Sequence, residues 1–213
     1  MAVLSVMTLA ATAQKFEDYF SPATATAATP DDAGFIRRWR LLEPIDKPNR
    51  TNIVFVDSYL REAFNTEYFK DQFTIVPNDG QKVKVGKNRL AWHSVDSKLF
   101  NVKLFRFASG LEKQVYGVLF WAVTVIECEE DINDVRLAVG SNSASMWWLN
   151  GEEALILSGD RRMVKDDCVS VRLNLKKGRN ILRGAVINGP GMSDFCVRFI
   201  TDKVEPVKAF TIQ

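Results

Sequence analysis

Residues 135–157 read Val-Arg-Leu-Ala-Val-Gly-Ser-Asn-Ser-Ala-Ser-Met-Trp-Trp-Leu-Asn-Gly-Glu-Glu-Ala-Leu-Ile-Leu, and this stretch decides the fold class. Val135, Leu137 and Val139 alternate with Arg136 and Ala138, the period of a half-buried strand. Turn formers at Gly140, Ser141, Asn142 and Ser143 break the run. Residues 145–149 predict a second strand, and Asn150-Gly151 folds it into a third over 153–157. An Asn-Gly pair tolerates both positive φ values of a type I′ turn, whose twist matches the flanking strands. A one-residue slip would exchange core and solvent faces, so the hairpin sets the register of its sheet. Trp147 and Trp148 are neighbours in one strand and point to opposite faces.

Outward from the hairpin the pattern stays β. Residues 116–126 are almost continuously apolar; β-branched and aromatic side chains dominate, which predicts a central strand rather than a helix. Further strands are expected over 35–42, 73–76, 82–85, 90–95, 101–107, 180–187 and 195–200. One more is expected over 169–175, with Val169, Val171, Leu173 and Leu175 inward. Gly and Asn turns join them, among them Asn78-Asp79-Gly80, Lys177-Gly178 and Asn188-Gly189. One helix is expected over 59–68, capped by Asp57 or Ser58, with Tyr59, Leu60, Ala63 and Phe64 on one face. Short strands at regular spacing without βαβ alternation predict a mainly β chain: an antiparallel jelly-roll β-sandwich with one short helix.

Several stretches resemble one family. Gly140-Ser141-Asn142-Ser143 followed by Trp147-Trp148-Leu149-Asn150-Gly151 resembles the Gly-Ser-Asp-Asp-Gly and Trp-Leu-Asn-Gly elements of extracellular jelly-roll modules on carbohydrate-active bacterial proteins. Lys176-Lys177-Gly178-Arg179-Asn180-Ile181-Leu182 and Phe195-Cys196-Val197-Arg198-Phe199 are similar to later strands of those modules. With Phe35-Ile36-Arg37-Arg38-Trp39 and Leu42-Glu43-Pro44, they resemble the N-terminal β-sandwich module of Bacteroides-type acetylxylan esterases, over residues 35–210. The resemblance implies a secreted, non-catalytic accessory module of polysaccharide degradation. Its partner would be a polysaccharide such as xylan, or a catalytic domain or subunit. Related lectin-type loops of calcium-dependent adhesins hold Ca²⁺ with paired Asp; Asn142 and Ser143 stand there in this chain. A hard cation loses its main charge at such a site, so no metal and no other cofactor is expected.

Length and composition agree with one folded module. The chain has 213 residues, 46% of them hydrophobic, with 14 Phe and 5 Trp, enough to fill a sizeable core. Interspersed charges summing to +2 give no support for nucleic-acid binding. Residues 1–13 form a short apolar run ending in Ala11-Thr12-Ala13, which reads as a secretory signal without its basic start and is too short to span a bilayer. That address is periplasmic or extracellular. Residues 14–33 read as an N-terminal segment or linker, rich in Ala, Thr and Pro, and 34–213 as the sandwich module. Cys128, Cys168 and Cys196 are an odd, widely spaced set, read as small buried thiols with one bridge left open.

Catalysis has few residues to work with. His93 is the single imidazole, so any Ser-His-Asp arrangement must use it, and no Gly-x-Ser-x-Gly elbow exists. The carboxylate runs Glu129-Glu130-Asp131, Glu152-Glu153 and Asp166-Asp167 suit a glycosidase pair by residue type alone. The sequence therefore leans away from an enzyme, although a hydrolase with such a pair and a purely structural interaction domain remain alternatives. Sugars stack C–H faces on flat rings while planar polar side chains bond their hydroxyls. Trp147, Trp148, Trp121 and Trp92 are the candidate stacking rings, with Asn142 and Asn150 as polar partners. Strand parity leaves open which ring faces outward.

Overall fold

A computed structural model describes residues 15–213. The expected signal, residues 1–13, lies outside the described residues. In order, the described residues first form α1 (Phe16–Tyr19), β1 (Phe20–Pro22), β2 (Arg38–Leu42), β3 (Ile45–Asp46), α2 (Asp57–Asn65), β4 (Lys82–Val85) and β5 (Asn88–Ser97). They continue with α3 (Leu104–Gly110), β6 (Val118–Cys128), β7 (Ile132–Ser141), β8 (Ala144–Leu149) and β9 (Glu152–Leu157). They close with β10 (Cys168–Val169), β11 (Leu173–Leu175), β12 (Gly178–Asn188), β13 (Phe195–Ile200) and β14 (Thr211–Ile212).

These strands make an antiparallel β-sandwich. The larger sheet runs β1-β5-β2-β6-β12-β8-β9, with β3 and β14 also on β6 and β4 on β5. The smaller is centred on β7, flanked by β13 and by β10 and β11. Asn150 and Gly151 take φ 53° and 90°, so the hairpin between β8 and β9 turns as its sequence dictates. β6 and β12 pair without a register shift from Val118↔Asn188 to Cys128↔Gly178.

The larger sheet is covered on both faces, which explains the unbroken apolar run of β6. Its inner face packs Trp39, Leu41, Phe120 and Trp147 against Leu137, Val139, Phe195 and Phe199 of the smaller sheet. Its outer face packs Trp92, Trp121, Val123 and Trp148 against Leu60, Ala63, Phe64 and Phe69 from α2 and the segment after it. Gly184 lies opposite Trp147, and a Cβ there would sit 2.4 Å from the indole ring. Only glycine lets that ring lie flat on the neighbouring strand.

Several local expectations are corrected. Residues 104–110 form α3 rather than a strand, because Leu104, Phe107 and Ala108 recur at helical spacing and are all buried. Residues 73–76 form no strand: 73–74 end a turn and 75–76 continue as irregular chain. The expected strand over 169–175 splits into β10 and β11, and its parity reverses only in the first half: Val169 and Val171 are exposed while Ser170 is buried, whereas Leu173 and Leu175 turn inward as expected. The Leu137 N–H donates to Ser170 Oγ at 2.9 Å, so a hydroxyl replaces a ladder partner there. α2 starts after Val56, with no side-chain cap, and Asp57 lies in its first turn. There are three α-helices among the described residues, not one. The segment 21–33 is tied to the sandwich: Ala28 and Ile212 exchange main-chain hydrogen bonds of 2.8 Å, and Arg38 Nη1 donates to the Thr26 carbonyl.

Candidate functional site

The four candidate stacking rings lie in the two cores. Trp147 is fully buried between the sheets; its Nε1 donates to Ser145 Oγ at 3.0 Å, and its ring meets Trp39 and Phe195 edge-on at 5.8 and 5.1 Å. Trp121 and Trp148 stack on each other on the outer face, 5.6 Å apart at 17°. Phe69 closes edge-on over Trp92 and Trp121 at 6.1 and 6.5 Å. Trp92 and Trp121 are each 1% exposed, and only Trp148, at 8%, reaches the surface at all. Adjacent Trp residues do face opposite ways, but the second face is also a core, so parity brings no flat ring to the solvent.

The two candidate Asn side chains part company. Asn150 is structural: its Nδ2 donates to Asn180 Oδ1 at 2.9 Å, and its Oδ1 accepts from the Ile181 N–H at 2.8 Å. Asn142 sits at one end of the sandwich, where its N–H donates to the Asp194 carbonyl at 2.9 Å. Its Oδ1 is enclosed and has no partner among the described residues, as is true of Asn188 Oδ1, Ser193 Oγ and Asp194 Oδ1. Asn188 Nδ2 meanwhile holds the Val115 and Gly191 carbonyls at 2.8 and 3.1 Å. Burial pushes the Asp194 carboxyl up, and Lys103, whose Nζ lies 2.7 Å from Oδ2, works against that shift. Lys103 thereby supplies the hydrogen-bonded positive charge in this loop cluster, and Arg106 adds to it through space.

Farther along the same end lies a cleft of about 680 Å³. Its floor is Pro44, between β2 and β3, with Ile45 of β3 and Leu90 of β5, all buried. Tyr68 presents a half-buried ring in the wall; its hydroxyl donates to the Ala63 carbonyl at 2.9 Å, and Lys47 Nζ lies 5.8 Å from the ring centroid. Asp46 and Glu67 stand on this side, while Asn88 and Arg89 come from the hairpin of β4 and β5 and Gln114 from the loop after α3. Behind the floor, buried Glu43 gathers His93 Nε2 at 3.5 Å, Lys113 Nζ at 3.4 Å and the Ala91 N–H at 3.2 Å. The His93 ring also lies 5.5 Å from Phe107, edge to face.

The carboxylate runs are held elsewhere. Asp166 pairs with Arg198, Asp167 with Arg161 and Glu153 with Arg61, while Glu129, Glu130 and Asp131 are exposed on the opposite end of β6. Sequence reasoning passed over Tyr68, Asn88, Arg89 and Asp194. The first three stand in turns and at a strand end, and their convergence depends on how β3, β5 and the segment after α2 meet.

No family model matches the chain, and no curated protein matches its sequence. Among solved structures, the chain is similar to the "PA14 sugar-binding domain from RTX adhesin" at 9% identity and TM-score 0.43, over 82% of this chain and 96% of that one. It is similar to a family 35 carbohydrate binding module from an environmental isolate at 13% identity and TM-score 0.29, over 41% and 69% of the two chains. A third likeness, to a beta-glucosidase from Kluyveromyces marxianus, has 18% identity and TM-score 0.38, and covers 62% of this chain but 16% of the enzyme. Likeness this remote leaves any ligand to be read from the chain's own residues.

Proposed function

We propose that this chain is a non-catalytic carbohydrate-recognition module, and that its contact site is the cleft walled by Tyr68, Asp46, Glu67, Asn88, Arg89 and Gln114. The observation that carries this reading is the convergence of a half-exposed aromatic ring with amide, carboxylate and guanidinium groups in one concavity. A sugar offers a C–H face to the ring and hydroxyls to planar donors and acceptors. The Trp residues support the site from below as rigid core, and Asn142 marks the far rim of the same end. The reading includes no covalent step: His93 Nε2 is enclosed and lies 3.5 Å from Glu43. A plant cell-wall glycan such as xylan, met outside the cell, is the ligand class proposed from the sequence resemblance and the apolar start.

Calorimetric titration with a panel of neutral and acidic oligosaccharides tests this. Asn88 and Arg89 are exposed, so Asn88→Ala and Arg89→Ala leave the fold intact. Each lowers affinity by roughly tenfold if its hydrogen bonds reach the sugar. Unchanged affinity in both variants removes the cleft from the mechanism. A second reading, docking onto an enzyme domain, is favoured by Ile53 and Val56, which are 83% and 53% exposed on the loop before α2. It predicts that Ile53→Asp breaks co-elution with a catalytic partner while glycan titrations stay silent.

A further inference from the structure

The wall of the cleft built by β4 and β5 is cationic throughout. Residues 82–91 include Lys82, Lys84, Lys87 and Arg89 and no acidic residue, in a chain whose formal net charge is only +2. Gly86, at φ 57°, leads the two-residue turn and brings Lys87 to its tip. Lys84 lies directly opposite Arg89 in the ladder, where like charges repel. All four side chains are exposed. Among the described residues, none of the four takes part in an ion pair. Lys113, which lines the same cleft, is by contrast held 3.4 Å from Glu43.

The other wall has the opposite sign. Asp46 and Glu67 are exposed there together with the half-buried Tyr68 ring. Neither carboxylate is ion-paired with the hairpin, so the two walls meet across solvent instead of closing on each other. A cleft charged this way focuses a field between low-dielectric walls. A neutral sugar makes little use of that field. A uronic acid is built to match it, because its carboxylate lies across the ring from vicinal hydroxyls. Arg89 and Lys87 can give the carboxylate charge-assisted hydrogen bonds. The hydroxyls can donate to Asp46 and Glu67, which only accept. Tyr68 offers the ring a flat face between them.

We propose that the cleft selects acidic glycans, with the hairpin of β4 and β5 as its uronate-binding wall and Lys87 and Arg89 as the residues that set the preference. The selectivity rests on the carbohydrate-recognition reading of the same cleft and adds its substrate class. A sulfate ester would meet the same cations, but the planar two-oxygen end of a carboxylate fits the guanidinium fork better.

Calorimetric titration compares three ligands: xylotriose bearing one glucuronic acid branch, the same tetrasaccharide with that carboxyl reduced to the alcohol, and xylotriose bearing a sulfate ester. The uronate should bind roughly tenfold more tightly than its reduced twin at low salt. That advantage should shrink as added salt screens the hairpin. Lys87→Gln/Arg89→Gln changes two exposed side chains, so its thermal melt should match the parent while the uronate and its reduced twin come to bind alike. Equal affinity of the parent for those two sugars overturns the proposal. An advantage that survives in the double variant, or tighter binding of the sulfate ester than of the uronate, overturns it as well. If the two sugars bind equally and Asn88→Ala weakens both, the cleft stands as a glycan site and only its acid selectivity falls. If none of the three ligands binds, the carbohydrate reading falls too.

Discussion

Replacing Trp148 by Ala separates a core tryptophan from a sugar-stacking one. The ring is 8% exposed, lies face to face with Trp121 at 5.6 Å and takes the edge of Phe64 at 6.5 Å. Truncating a buried Trp to Ala costs roughly 3–5 kcal/mol, because transfer and cavity terms add. In a domain of this size each kcal/mol moves the midpoint by about 2–4 °C, so Tm should fall by roughly 6–20 °C. Thermal and urea unfolding followed by circular dichroism give the number, and neutral-glycan titration below the new Tm gives affinity. Trp148→Ala should retain most neutral-glycan affinity while folded, and Trp148→Phe should recover part of the lost stability. A variant that melts like the parent yet no longer binds neutral glycan would refute the assignment of Trp148 to the outer core.

Lys103→Met removes the hydrogen-bonded cation from buried Asp194 and leaves it only the through-space charge of Arg106, which should cost about 3 kcal/mol near neutral pH. Asp194 is pushed up by burial, so its contribution favours folding at low pH and fades as pH rises through its folded pKa. Removing Lys103 pushes it further up, so urea midpoints of variant and parent should converge on acidification. Gly184→Ala drives a methyl group into the Trp147 ring and should cost roughly 1–3 kcal/mol; adding Trp147→Phe should make the pair less harmful than the sum. Burial pushes the Cys196 thiol up to about 11, and Cys168 is the least buried of the three free thiols. Brief alkylation of the native protein should label Cys168 first, with Cys128 and Cys196 reacting after unfolding, as peptide mass spectrometry would report.

The sandwich was legible wherever local chemistry and tertiary environment agree. Asn150-Gly151 names its own turn, and the apolar run of β6 can only be a strand shielded on both sides. The same run held the clue that was not used: a strand apolar on both faces needs a second cover, and that cover hides Trp92, Trp121 and Trp148. Residues 104–108 fit a two-residue and a helical period about equally, and packing of Leu104 and Phe107 into the inner core decides for α3. Around Asp194 the sequence is silent for another reason. Asn142 and Asp194 meet because β7 and β13 pair, and Lys103 arrives through the bridge between Val102 and Phe195. No spacing along the chain encodes that meeting.

The β6–β12 ladder, sealed between two oily layers, acts as the keel of the molecule. Its amides should exchange with deuterium last of all, since opening them means dismantling both sides at once. Loops at the ends of the sandwich hang from that keel without bearing its weight. They can therefore change length and chemistry from one relative to the next while the hull stays watertight, and new cargo can be fitted at the gunwale without rebuilding the ship.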